Sequence, residues 1–413
     1  LMSATIKHID IKGVQIPVIF EEQKTLPILN LQLVFQNSGY IQDKNKSGLV
    51  SLSSKLLNEG TNELGATKFA QKLEENAISL AASNGFETFV IELSNLKEQS
   101  KKGIELLTAL LKSPNYTQDT LNKLKTMQTG SLKRKENDFD YVANNQLKSV
   151  LFKGTTLENS AAGTIESISK IELKDIENFI SQTVCLENLI IVAGGDFELK
   201  EFEKLVKPLL ETLNVGKKAQ LEEVNFISKK EEKVLIKDTQ QAYIYFGSSF
   251  NINSKDEENY KAKVASFILG GSGFGSRLME EIRVKRGLAY SAYGSISINK
   301  SHSYFNGYLQ TKNETADEAK KLVGEIIEDF VKNGVTNDEL SAAKNFLTGS
   351  EPLRSETLSQ RLNRAFTLYY RGLEPNYSQK ELEKIQNLEL TDLNNYIKSH
   401  NEINNLTFSI VRK

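Results

Sequence analysis

The sequence predicts an α+β protein of two homologous domains, each a mostly antiparallel sheet with helices packed on one face. Three observations lead there. At 413 residues the chain exceeds the roughly 250–300 that one hydrophobic core organises, so two domains are expected. Residues 168–180, running into 188–192, return near the end as 385–397 running into 405–409. Both parts recur at one offset, 385 − 168 = 405 − 188 = 217, which is too long for a solenoid repeat and suits a duplicated domain. Short alternating strands also cluster apart from long amphipathic helices, the pattern of helices laid on an antiparallel sheet.

Each element has its own justification. In the first half Leu29, Leu31, Leu33 and Phe35 alternate with Asn30, Gln32 and Val34, a half-buried strand. Ile104, Leu107 and Leu111 before Ser113-Pro114 mark an amphipathic helix. Within the repeat Leu173 matches Leu390, Asp175 matches Asp392, Phe179 matches Tyr396 and Leu189 matches Leu406. The two aspartates fall where the first turn of a helix favours a carboxylate. Near Asn214-Val-Gly-Lys-Lys218, glycine and charge replace periodic apolar residues, so the domains are expected at 1–215 and 216–413. In the second half Ala242, Ile244 and Phe246 alternate with Tyr243 and Tyr245, and Ala319, Leu322, Ile326 and Phe330 mark the counterpart helix.

Composition excludes several function classes. Lys plus Arg total 52 against 53 acidic residues, which leaves no electrostatic footprint for nucleic acid. The single cysteine, Cys185, rules out an internal disulfide or a Cys-rich metal site. No apolar run approaches the roughly 18–20 residues of a membrane span. The start Leu1-Met2-Ser3 suggests processing, and with it a periplasmic location after removal of a signal peptide; a cytoplasmic one is the alternative.

Familiar motifs fail. Gly270-Gly-Ser-Gly-Phe-Gly275 lacks the Lys-Ser/Thr of a phosphate loop and follows a helical segment, so it reads as a flexible helix–helix connection. Glu136, Asp138 and Asp140 lack calcium-loop spacing and read as a solvated helix end. His8, His302 and His400 stand alone, each better read as a surface or strand residue than as a ligand.

Two stretches, with the repeat, resemble the pitrilysin-like zinc peptidases, the inverzincins. One is Ser276-Arg-Leu-Met-Glu-Glu-Ile-Arg-Val-Lys-Arg-Gly-Leu-Ala-Tyr-Ser291; the other runs from Ser47-Gly48 through Leu56-Leu57 to Gly60-Thr61. Active members carry H-x-x-E-H on the latter helix, two histidines holding zinc and a glutamate activating water. Counting back from Gly60-Thr61, the ligand positions hold Ser51 and Lys55 and the base position Ser54. The family's third ligand, roughly 76 residues on, falls at Ser131. Hydroxyls are poor zinc ligands and an ammonium repels the cation, so no metal is expected in this chain.

What the resemblance implies is that the two domains form a clamp with a retained Arg/Tyr pair, Arg283 and Tyr290. Leu278 and Ile282 stripe a helix that Gly287 ends, which places Arg283 in its last turn and Tyr290 on the next strand. From spacing alone Arg283 reads as a helix-end cation and Tyr290 as a packed sheet residue; the family signature reverses that preference, and the pair is expected to bind substrate carbonyls. Arg277, Lys285 and Arg286 read as surface charges. The expectation is a non-catalytic subunit of a heterodimeric endopeptidase, with zinc in a homologous partner. Its substrate would be a peptide or unfolded segment added to a sheet edge. The alternative is a structural or assembly subunit without proteolytic role. An independent hydrolase built on Ser51, Ser53, Ser54 and Lys55 lacks a base.

Overall fold

The computed structural model describes residues 3–413; Leu1 and Met2, on which the reading of a processed start rests, lie outside the described residues. Five helices carry the argument: α1 (Leu49–Leu57), α2 (Gln118–Lys135), α3 (Phe139–Leu151), α4 (Ala316–Asn333) and α5 (Leu358–Tyr370). The chain forms two compact units, and each takes residues from both halves of the sequence. Unit 1 holds the described residues up to Lys133, Ser160–Leu221 and Arg354–Tyr370, and unit 2 holds Arg134–Asn159, Glu222–Leu353 and Arg371–Lys413.

Unit 1 is built on a six-stranded sheet. Its order is β1 (Thr5–Ile11), β2 (Val14–Glu22), β6 (Leu189–Gly195), β3 (Ile28–Phe35), β5 (Phe89–Leu96) and β4 (Ser79–Asn84). Only β2 and β6 run parallel. The alternation in β3 does what the sequence requires: Leu29, Leu31 and Leu33 join Val18 and Ile191 in the main core. That core also takes buried residues of α1 and of the helices Ser100–Lys112, Leu173–Thr183 and Leu199–Glu211. The opposite face is apolar in part, because Ile19, Val34, Ile190 and Val192 point that way. A continuous run such as Leu189-Ile-Ile-Val192 is the mark of a strand buried on both faces. One helix, α5, covers it with Leu358 and Leu362. At its start Arg361 holds Glu21 of β2 by three hydrogen bonds of 2.7–3.1 Å; at its end the Tyr370 hydroxyl donates to Glu87 at 2.8 Å.

Unit 2 repeats the plan with five strands. The order is β7 (Glu231–Ile236), β11 (Thr407–Arg412), β8 (Ala242–Ser249), β10 (Ser303–Thr311) and β9 (Ala289–Ile298), with only β7–β11 parallel. Ala319, Leu322, Ile326 and Phe330 of α4 are all buried against this sheet. Here α3 plays the part of α5. Ser409 donates to the Ala143 carbonyl at 2.7 Å, and the Tyr245 hydroxyl donates to Asp140 at 2.9 Å. Adding the 217-residue offset to 139–151 gives 356–368, nearly the span of α5, so the two helices are repeats of each other.

Two charged groups differ from expectation. Asp140 is not a solvated helix end; besides Tyr245 it accepts from Gln310 at 3.0 Å, and these contacts tie α3 to β8 and β10. Arg277 is not a surface charge. Its side chain is largely buried, donating to Glu339 at 2.6 Å and to the Gly334 carbonyl at 3.0 Å, which locks the helix after the glycine-rich connection onto helix Asn337–Gly349. Among the described residues no helix is long and apolar enough to cross a membrane.

Candidate functional site

The first candidate region is α1. Leu49, Val50, Leu52, Leu56 and Leu57 pack into the core of unit 1, which leaves Ser51 half-buried and Lys55 exposed. Asp43 holds the helix start: one carboxyl oxygen accepts from the Gly48 amide at 3.1 Å and the other from Val50 at 2.9 Å. Burial outweighs these two amides and raises the Asp43 pKa from 3.8 to about 7. The folded state therefore keeps this proton where the unfolded chain has released it, so stability falls as pH rises from about 4 through about 7. The penalty of Asp43→Asn relative to wild type should be smaller at pH 8 than at pH 5, measured by urea midpoints at the two values.

Around the positions expected for metal, Ser53, Ser54 and Lys55 are engaged in hydrogen bonds within the fold. Ser53 donates to the Leu49 carbonyl at 2.8 Å. Ser54 donates to the Ser51 carbonyl at 2.9 Å and to Asn84 at 3.1 Å. The Lys55 amine donates to Gln128 of α2, and the buried Gln128 amide in turn donates to the Ala162 carbonyl at 2.9 Å. Ser131, half-buried, sits one turn further along α2. Ser51, Ser54 and Lys55 thus share one helix, and α2 meets Lys55 through Gln128. The donor set does not fit zinc, since it offers hydroxyls, an amide and an ammonium but no imidazole or carboxylate. Among the described residues no group of three or more His, Cys, Asp or Glu side chains is placed to hold a metal. The histidines are scattered. His8 is exposed on β1. His302 packs on Phe152 and Tyr304 and is held neutral by burial, its pKa lowered to about 4. His400 bonds Glu402 at 2.7 Å.

Asn58, the residue after α1, has a role that the sequence did not suggest. Its amide donates to the Ala82 carbonyl at 2.9 Å and accepts from the Ala82 N–H at 2.7 Å. Ala82 lies on β4, the edge of the sheet. A side-chain amide there takes both main-chain groups that an added strand would use.

The second candidate region lies in unit 2. Leu278 and Ile282 are fully buried, and Gly287 ends the turn at φ +61°, a conformation that favours glycine. Ala289 opens β9, so Arg283 and Tyr290 come together: the guanidinium carbon is 4.8 Å from the Tyr290 ring centroid. A second ring, Phe274, lies 4.6 Å from the same carbon. Tyr290 is 83% exposed and Phe274 68%, so neither ring is placed for core packing. Lys285 and Arg286 both pair with Glu281, at 2.6 and 2.8 Å. Arg283 is the cation of this run whose N–H groups meet no acceptor among the described residues. Phe274 escaped the sequence reading, although an aromatic residue between two glycines was a visible signal.

Residues 170–347 match the family model described as Peptidase M16 inactive domain. Over 411 residues, spanning all of this chain and 95% of the relative, the sequence is 45% identical to a Helicobacter pylori protein named "Non-peptidase homolog YmxG". The chain belongs to the M16, pitrilysin-like peptidase family. Its fold agrees with that of solved structures. The crystal structure of a peptidase M16 inactive domain from Pseudomonas fluorescens superposes with a TM-score of 0.90 at 23% identity, covering 99% of this chain and 98% of that one. A protease from Helicobacter pylori gives 0.85 at 17% identity, covering 99% and 100%. In this M16 chain the stretch that resembles the zinc-motif helix is a helix, and its Ser53, Ser54 and Lys55 side chains donate to the Leu49 and Ser51 carbonyls, Asn84 and Gln128.

Proposed function

We propose that the chain is a non-catalytic, peptide-binding subunit of a heterodimeric zinc endopeptidase, acting in the periplasm beside a homologous subunit that carries the zinc motif. The observation that carries this reading is a contrast between the two regions. The positions expected for metal offer hydroxyls and an ammonium, with Ser54 and Lys55 already hydrogen-bonded, whereas Tyr290 is exposed and the half-buried Arg283 beside it keeps its donors available. The 45%-identical relative named a non-peptidase homologue agrees with the first half of that contrast. In the pair, the guanidinium donates to a carbonyl of an extended or unfolded peptide. The phenol donates to the carbonyl at or beside the scissile bond, where negative charge develops. Zinc and the water it activates belong to the partner. Strand addition at β4 of this chain would displace Asn58 from Ala82, so main-chain pairing of the peptide falls to an edge outside β4. A purely structural subunit would give the exposed Tyr290 no task.

The test is to purify the chain alone and with its homologous partner, then measure zinc content and cleavage of an unfolded polypeptide. The lone chain is expected to hold no stoichiometric zinc and to cleave nothing, and the pair to cleave in a chelator-sensitive way. Chelator-insensitive cleavage by the lone chain would contradict the proposal.

A further inference from the structure

We infer that Phe274 is a positioning residue that holds the Arg283 guanidinium in its binding orientation. The inference rests on the reading that Arg283 binds peptide carbonyls. Arginine is a long side chain with many rotamers, and at a half-buried position on the surface something must order it before binding. The usual device, an acidic neighbour, is taken: Glu281 is already engaged by Lys285 and Arg286. Two aromatic rings do the work instead, at 4.6 and 4.8 Å from the guanidinium carbon, inside the roughly 6 Å range of cation–π attraction. This arrangement fixes the cation through the ring quadrupoles and leaves its N–H groups for an acceptor. A carboxylate partner would have consumed those same donors.

The loop around Phe274 is shaped to present it. Gly273 and Gly275 adopt φ +72° and +88°, and a Cβ built on either would meet nothing within 4 Å. Glycine is required at both places by backbone conformation and not by crowding. The result is a tight excursion with one aromatic residue at its tip, 68% exposed. Burying little, Phe274 adds little to stability, and among the described residues the cation over its ring is Arg283. An exposed phenylalanine set against that cation is explained by what it does to the arginine.

The test uses the reconstituted pair and one probe, reduced carboxymethylated α-lactalbumin, which is permanently unfolded. Phe274→Ala and Phe274→Leu should each raise KM roughly fivefold, the size of an exposed cation–π contact, with kcat within twofold; Phe274→Tyr should restore the wild-type KM. In an Arg283→Ala background Phe274→Ala should change KM no further. In the chain alone, the Arg283 Nε–H resonance, assigned by its loss in Arg283→Lys, should move toward the position of a free arginine in Phe274→Leu. Equal effects of Phe274→Ala in both backgrounds, or an unmoved resonance, would overturn the inference. If Arg283→Ala raises KM and Phe274→Ala does not, only this inference falls. If Arg283→Ala leaves KM unchanged, the peptide-binding reading falls with it.

Discussion

Arg283→Ala is expected to lower kcat/KM of the reconstituted pair roughly 10- to 100-fold, the range for losing hydrogen bonds to a charged group. The loss should fall mainly on KM, because a carbonyl remote from the reacting bond is bound equally in the ground and transition states. Arg283→Lys should recover only part of it, since an ammonium neither stacks on Tyr290 and Phe274 as a planar guanidinium does nor offers the same fork of donors. Tyr290→Phe should act differently. It keeps the ring that lies 4.8 Å from the arginine and removes only the hydroxyl, so KM should change little. If that hydroxyl donates where charge develops, kcat falls about 100-fold, as for other single donors to a forming oxyanion. Steady-state kinetics on one unfolded substrate separates the two effects.

The second large effect concerns stability. Arg361→Met should destabilise the protein by about 3–5 kcal/mol at pH 8, because it strands a carboxylate in the interior. Glu21 is 2% exposed and Arg361 16% at their side chains, and their shortest contact is 2.7 Å. Without its partner Glu21 would sooner take a proton than remain an isolated buried charge. Its folded pKa would then lie above the unfolded one, and stability would be lost as pH rises through it. The penalty should therefore be visibly smaller at pH 5. Glu21→Leu combined with Arg361→Met should recover most of the loss, since apolar residues of similar volume often replace a buried pair at little cost. Chemical denaturation at both pH values checks all three statements.

The sequence made some of this legible and hid the rest for physical reasons. Strand β3 and helix α4 were readable because burial of one face imprints a period of 2 or 3.6 on the residues themselves. The meeting of Arg283 and Tyr290 was readable because Gly287 fixes a turn between a helix end and a strand start, a local matter. The exchange of α3 and α5 was not. An amphipathic pattern says that a face is buried and is silent on which sheet buries it, and Glu21 and Arg361 lie 340 residues apart. Gln128 and Asn58 were hidden for the same reason: each answers a polar group, the Lys55 amine and the Ala82 backbone, that approaches only in the folded chain. Asp140 and Arg277 were misjudged because charged residues are mostly exposed, and here each is enclosed by partners from other elements.

The proposed division of labour has this chain supply grip to a peptide that another subunit cuts. The most direct test is to titrate the zinc-bearing partner with increasing amounts of this chain and follow cleavage of unfolded polypeptide. Activity should rise to a plateau at one chain per partner, and should stay near the partner-alone level when the added chain carries Arg283→Ala together with Tyr290→Phe. A partner that is fully active alone, or a plateau reached equally well with the doubly substituted chain, would contradict it.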